Sequence, residues 1–234
     1  MNNPNKTILI TGASKGMGLA TAKRFLQDST NRLILVSRES DNFKNVVATL
    51  RKNYTNEIVI FYADFSQSSS VDKLLKNIIK LKYNIDIIVN NAGYTNPVGF
   101  LDSTAKDFRH TLEVNLISPY KIIKELFKAG KHAKKIINIA STSGIGARPG
   151  WLSYACSKSA MISMSDTLRE ELSVFNVDVI CLSPGRCATD LRKKLAPDED
   201  PASIMQPENV ADTIYYLTSD NGKFLISQNL IVRQ

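Results

Sequence analysis

The stretch SYACSK (153–158) sets a phenol and an ammonium four residues apart, Tyr154 ahead of Lys158. On a helix two such side chains lie one above the other on the same face. An unperturbed phenol titrates near pH 10, at about 10. A neighbouring cation favours the phenolate and lowers that value, moving the group toward the pH at which proton transfer is efficient. Small Ala155, Cys156 and Ser157 leave the space between the two uncrowded. The same spacing also occurs by chance on solvated helices, so the rest of the chain must supply the other reactants.

A second chemical feature is TGASKGMG (11–18), which ends an apolar run and opens a helical one. Gly12, Gly16 and Gly18 let the backbone turn tightly and let a pyrophosphate approach the helix N-terminus, with Ser14, Lys15 and Met17 as further loop contacts. Glycines there also serve plain helix packing. The letters Gly12-Ala13-Ser14-Lys15-Gly16 fit the G-x-S-x-G elbow of serine hydrolases as well. That reading needs an acid and then a histidine after a late strand. The two histidines, His110 and His132, lie in or just past lysine-bearing helical stretches, which argues against it.

The next strand discriminates among nucleotides. Where NAD sites commonly place an acid for the ribose hydroxyl, RLILVS runs into Arg38, with no carboxylate before Glu39. Arg38 and Lys15 can pair with a 2′-phosphate, which points to NADP(H) over NAD(H).

These residues need a scaffold. Apolar runs TILIT (7–11), RLILVS (32–37), EIVIFYA (57–63), IDIIVNNA (85–92), KIINIAS (135–141), DVICLS (178–183) and NLIV (229–232) alternate with amphipathic segments. Nearly continuous Val, Ile and Leu predicts strands covered on both faces. The alternation predicts an α/β, Rossmann-type, doubly wound and mostly parallel seven-stranded sheet. No linker or repeat divides it, so residues 1–234 read as one dinucleotide-binding and catalytic domain. The irregular stretch 192–208 falls where such a sheet carries its ligand crevice, and predicts a substrate loop around 190–206.

Composition narrows the classes. With 43% hydrophobic and 22% charged residues the chain is globular. No apolar run spans a bilayer, and MNNPNKTILITG reads as a strand entry rather than a secretory leader. Three cysteines suit a reducing cytoplasm. Neither they nor the histidines show metal-ligand spacing. The net charge of +8 concentrates in KIIKELFKAGKHAKK, where Lys121, Lys124, Lys128 and Lys131 recur at helical spacing. Without interleaved aromatics this does not read as a nucleic-acid surface. An acidic protein partner or an anionic substrate stays open.

Taken in order, TGASKGMG, Asp64 in YADFS, NNAG (90–93), Asn115 in EVNLISPY, Ser141 in INIASTSG, Tyr154 with Lys158, and SPGRCATDL (183–191) resemble the short-chain dehydrogenase/reductase family over nearly the whole chain. The resemblance implies that Tyr154 gives a proton to a carbonyl oxygen as hydride reaches carbon, and that Lys158 also binds the nicotinamide ribose. Ser141 would orient the carbonyl, and Asn115 would anchor a water chain toward Lys158. Asp64, Asn90 and Gly93 would border the adenosine half, and Pro184, Gly185 and Thr189 the nicotinamide carboxamide. A strand-end turn for Asp64 and a helix cap for Thr189 are the plain alternatives.

The family also implies a small-molecule carbonyl substrate, with 3-oxoacyl thioesters on acyl carrier protein foremost and the basic residues Lys131, Lys134 and Lys135 as the carrier's contact. A homodimer through the helices of Lys124 and Lys158, or a homotetramer, is implied too. The tail ISQNLIVRQ departs by lacking the family's usual glycine turn, and SVFNVD lacks a second basic contact for the carrier. The reading from another class is a non-catalytic NAD(P)-binding sensor on the same fold, whose expected mark is loss of one of Asn115, Ser141, Tyr154 or Lys158.

Overall fold

The computed structural model describes residues 6–225 and 229–233. The apolar runs form strands β1 (Thr7–Thr11), β2 (Arg32–Ser37), β3 (Ile58–Tyr62), β4 (Ile87–Asn90), β5 (Lys135–Ile139), β6 (Asp178–Pro184) and β7 (Asn229–Val232). They make one sheet in the order β3-β2-β1-β4-β5-β6-β7, every neighbouring pair parallel.

Burial on both faces explains the unbroken apolar runs. Ile8, Ile10, Leu33 and Leu35 pack on one side with Phe25, Phe43 and Ile214. Leu9, Ile34 and Val36 face the other way, against Leu74, Ile78, Ile122 and Leu126. The first layer comes from α1 (Gly16–Leu26), α2 (Asp41–Asn53) and, later in the chain, the helix Pro207–Leu217. The second comes from α3 (Ser68–Ile79) and the long segment of α4 (Ala105–Leu112), a π-helical turn (Glu113–Ile117) and α5 (Ser118–Lys128). After these come α6 (Leu152–Ser173), α7 (Asp190–Leu195) and α8 (Pro207–Leu217).

The π-helical turn has a cause in sequence. Pro119 has no N–H to give the carbonyl four residues back, that of Asn115, so the regular helical ladder cannot run through. The amide of Ser118 instead reaches back to the Glu113 carbonyl. Such single π turns are frequent at functional sites.

The predicted irregular stretch 192–208 is partly regular. Its first residues belong to α7, because the Thr189 hydroxyl accepts from the Arg192 amide (3.1 Å), Asp190 sits in the first turn, and Arg192, Lys193 and Lys194 suit the helix C-terminus. A 3-10 turn at Pro201–Ser203 follows. Of the tail ISQNLIVRQ, residues 226–228 and 234 lie outside the described residues, so its departure from the family pattern is untouched here.

The strand order reverses between β1 and β4. From β1 the chain moves outward to β2 on one side, while β4 pairs on the other. The loops leaving the carboxyl ends of those two strands diverge, and this opens the crevice in which doubly wound sheets bind ligands. At the opposite, amino-terminal edge, charged residues are neutralised in pairs: Arg32 with Glu57 (2.6 Å), Lys134 with Asp86 (2.9 Å) and Lys135 with Asp178 (3.2 Å).

That arrangement corrects the expected carrier contact. Lys135 is 9% exposed and also donates to the Leu217 carbonyl (2.8 Å). Lys131 is equally buried and donates to the carbonyls of Leu81 and Tyr83 (2.8 and 2.9 Å). It lies beyond α5, past Gly130, so the helical lysine spacing stops at Lys128. Two of the three cations are structural, and all three sit at the edge of the sheet away from the crevice. Among the described residues no helix is long and apolar enough to cross a membrane, and no cluster of histidine, cysteine and acidic side chains has the form of a metal site.

Candidate active site

At the carboxyl ends of β1 to β5 the loops enclose a cleft of ≈ 640 Å³. Its floor at one end is the glycine loop. Gly12 has φ +68°, and a Cβ there would come within 2.8 Å of the Ala92 Cα, so any side chain is excluded. Asn91 holds this loop: its side-chain amide donates to the carbonyls of Thr11 (2.9 Å) and Gly12 (3.3 Å). Gly16 and Gly18 open α1, with Met17 between them. The N-cap Lys15 is extended, no side chain caps the helix among the described residues, and its first turn holds no acid. Its first N–H groups and the positive end of its dipole therefore face the cleft without a protein partner, which suits a pyrophosphate. The residues present thus fit a dinucleotide.

Ser14, Lys15, Arg38, Asp64 and Gly93 line the same cleft. Arg38 is exposed and makes no ion pair among the described residues, whereas Lys15 is held by Asp190 at 2.6 Å. The two predicted phosphate cations therefore border one space, one of them already paired. Asp64 combines both of its readings. Its carboxylate accepts from the Ser66 amide (2.9 Å) and hydroxyl (2.8 Å) in a turn, and it also borders the cleft. Burial works to raise its carboxyl, but the two Ser66 bonds and the charge of Arg38 hold it below the usual range.

Asn90 does not line the cleft. It shares the Ile88 face of β4, and its amide donates to the Asn138 side chain (2.8 Å), which in turn donates to Ser165 on α6 (3.0 Å). Side chains alternate along a strand, so the pleat turns Asn90 toward α6 and leaves Asn91, which the sequence reading passed over, at the cleft. Pro184 and Gly185 also lie outside the cleft lining: they pair with β7, where the Gly185 amide donates to the Val232 carbonyl (2.8 Å). Thr189 of the same segment does line it, while capping α7.

Tyr154 and Lys158 sit on α6 as the spacing predicts, both buried, with the ammonium 5.7 Å from the phenol ring centroid. The buried stripe of α6 is Tyr154, Ser157, Lys158, Met161 and Ser165, four polar groups of five. Lys158 donates to the Ile139 carbonyl at the end of β5 (2.7 Å). Ser141, just beyond that strand, lies against the phenol, and its hydroxyl also accepts from the Ser143 amide (3.1 Å). The close approach of this loop to α6 requires Gly144, where a Cβ would meet the Lys158 carbonyl carbon at 2.7 Å. The small residues after Tyr154 do not make that room: Cys156 faces solvent and Ser157 is bonded to Asn115.

Asn115 is fully buried in the π turn. Its Oδ1 accepts from the Tyr94 amide (2.7 Å), and its Nδ2 donates to the Tyr94 carbonyl (2.9 Å) and to Ser157 Oγ (2.9 Å). Ser157 Oγ passes the link to the Tyr154 carbonyl (2.7 Å). The four predicted catalytic side chains thus gather around the first turns of α6, with Tyr154 and Lys158 lining the cleft.

The electrostatics depart from expectation. Burial pushes Tyr154 up to about 12, against the smaller opposing effects of the Ser141 hydroxyl and the Arg192 guanidinium. Burial also brings Lys158 down to about 8. The ammonium is bonded to the Ile139 carbonyl, and desolvation is the largest influence on both groups. Arg192, reaching in from α7, was not singled out in the sequence because its nearness to Tyr154 depends on how α7 folds back.

The family model described as short chain dehydrogenase matches residues 6–200. The 3-oxoacyl-(acyl-carrier-protein) reductase of Rickettsia prowazekii is 31% identical over 97% of this chain and 95% of its own. Among solved structures, L-sorbose reductase of Gluconobacter frateurii, complexed with NADPH and L-sorbose, superposes with a TM-score of 0.87 at 22% identity, over 98% of this chain and 95% of its own. A 4-hydroxyisoleucine dehydrogenase complexed with NADH gives 0.84 at 26% identity, over 97% of both chains.

Proposed function

The chain belongs to the short-chain dehydrogenase family and is an NAD(P)-dependent oxidoreductase, and from that premise we propose that it acts as one catalytic unit reducing a ketone to a secondary alcohol with NADPH. The observation that carries this is that Tyr154 and Lys158 line one end of a cleft, with Ser141 against the phenol, and that the other end is an uncapped helix N-terminus. The nicotinamide nucleotide, when bound, supplies the hydride.

The protein groups handle the proton and the orientation. Ser141 donates its hydroxyl hydrogen to the substrate oxygen and sets the carbonyl beside Tyr154. Tyr154 then gives its phenolic proton to that oxygen. A phenol held protonated by burial is in the state that reduction requires, and the transfer contributes on the order of 10²–10⁴ in rate. Lys158, bonded to Ile139, stabilises the phenolate left behind. Asn115 anchors the path by which water returns the proton. Gly12, Gly16 and Gly18 admit the pyrophosphate, Asp64 and Gly93 border the adenosine, and Thr189 borders the nicotinamide end.

Arg38 supports NADP(H), since a guanidinium matches a phosphate bidentately. Relatives named for 3-oxoacyl groups on acyl carrier protein make acyl thioesters the first substrates to test. Lys131 and Lys135, buried and bonded to backbone carbonyls, offer a carrier no docking surface. The α5–α6 groove, with exposed Tyr120 and Phe175, is the face through which we expect two copies to pair.

The test is an NADPH-oxidation screen across acyl thioesters, hydroxysteroid ketones and sugars, run beside Tyr154→Phe. Turnover lost in that variant with nucleotide binding retained supports the reading. Nucleotide binding by a wild type that turns over no ketone favours the non-catalytic sensor instead.

A further inference from the structure

The segment that follows β6 carries two arginines and one carboxylate in contact. Glu199, 15% exposed at its side chain, accepts from Arg192 through both oxygens, Nε to Oε2 at 2.6 Å and Nη2 to Oε1 at 2.8 Å. Arg186 reaches the same carboxylate from the other side, Nη1 to Oε1 at 3.3 Å. One negative charge cannot neutralise two guanidinium groups, so this cluster keeps a positive excess. The nearby Asp190 is taken by Lys15. Asp198 and Asp200 are exposed, and Asp200 caps the Pro201–Ser203 turn through the Ala202 amide (2.9 Å).

The Arg192 end of this cluster lies near the start of α6. The Arg192 guanidinium is only 19% exposed and stands 5.6 Å from the Trp151 ring centroid. Trp151 is the N-cap of α6, three residues before Tyr154. Arg192 is near enough to the phenol for its charge to act on it. Glu199 is meanwhile held ionised, first by its hydrogen bonds to Arg192 and then by the charges of both arginines. One edge of Arg192 is thus fixed by Glu199, while its Nη1 has no hydrogen-bond partner among the described residues, next to Leu191 of the cleft lining.

We propose that Arg192, backed by Arg186, is a specificity-determining subsite for an anionic oxygen group on the substrate. The ketone reduced here then carries a carboxylate or a phosphate a short chain away from its carbonyl. This deepens the reductase reading and rests on Tyr154 marking the carbonyl position. With its Nε–Nη2 edge held by Glu199, the guanidinium offers its Nη1–Nη2 edge to either oxyanion. A neutral analogue forgoes that charge-assisted bond, which is why it is expected to bind less tightly.

The experiment measures binding, so that it does not depend on turnover. An oxo carboxylate, its methyl ester and a keto phosphate of similar length are titrated by calorimetry into the protein loaded with NADP⁺, which has no hydride to give a ketone. The wild type is expected to bind at least one anionic member about tenfold or more tighter than the ester, and which one identifies the source of the charge. In Arg192→Met that ratio is expected to fall to near one, while Arg192→Lys keeps part of it. NADPH binding, read from Trp151 fluorescence, confirms that each variant is folded. A wild type without preference, or a ratio that survives in Arg192→Met, overturns the proposal. Preference for the anion without turnover of any ketone leaves the subsite standing and sinks the assignment of Tyr154 instead.

Discussion

Lys15 in the glycine loop and Asp190 at the start of α7 meet at 2.6 Å, joining the nucleotide end of the cleft to the segment that borders the substrate. The contact is exposed on both sides, so in isolation it stabilises little. Its consequence is competition. A 2′-phosphate drawn to Lys15 must displace Asp190, and Arg38 is the cation that carries no such partner among the described residues.

Arg38→Asp is therefore expected to weaken NADPH binding by about 10- to 100-fold, the scale of one charge-assisted bidentate contact. NADH binding should change little. Equal losses for both nucleotides, measured by fluorescence titration, contradict the assignment. Asp190→Asn is expected to move the other way and raise the NADPH-to-NADH affinity ratio, because it frees Lys15.

Tyr154→Phe removes the proton donor while preserving shape. A fall in kcat of about 10²–10⁴ is expected, with nucleotide affinity within about twofold, since no nucleotide phosphate depends on the phenol. A variant that still turns over ketones at the wild-type rate places the donor elsewhere in the cleft, whose lining also includes His110, packed against Tyr94.

The two directions of the reaction should respond oppositely to pH. Reduction uses the protonated phenol, pushed up to about 12, and a charged Lys158, brought down to about 8. Ketone reduction is then expected to hold below pH 8 and to decline as Lys158 loses its charge above it. Alcohol oxidation needs the phenolate and should rise across the same range. The groups acting on the phenol are Ser141 from the β5 loop and Arg192 from α7, so Arg192→Met should shift the oxidation profile to higher pH. Parallel profiles in both directions count against this scheme.

The sequence carried the scaffold because the parallel sheet writes itself as unbroken apolar runs, as in Leu33 to Val36. It carried Tyr154 and Lys158 because helical spacing alone sets two side chains on one face. Three outcomes needed the third dimension. Whether Asn90 or Asn91 reaches the cleft depends on the phase of the pleat at a strand end. The fate of Lys131 and Lys135 depends on which carbonyls the folded chain brings to them; spacing read them as a surface. The balance at Tyr154 turns on how deeply two charged groups are buried, a quantity that motif spacing does not contain.

Lys158 is held for chemistry at a cost in stability. Its value falls from 10.5 unfolded to about 8 folded, so the charged form is disfavoured by the fold. The sign follows from proton counts. Below pH 8 both states carry the proton and the penalty is complete. Between pH 8 and 10.5 the unfolded chain binds more protons, so wild-type stability rises with pH. The shift corresponds to about 3 kcal/mol at neutral pH, offset by about 1–3 kcal/mol for the Ile139 carbonyl left without its donor in Lys158→Met. The variant is thus expected to be as stable as the wild type at pH 7, or more stable by up to about 2 kcal/mol, and to lose about 1–2 kcal/mol of that relative position by pH 9.5. Urea unfolding at the two pH values measures it. A variant destabilised equally at both would mean that the fold does not penalise the charge of Lys158, and that its ammonium is solvated in solution.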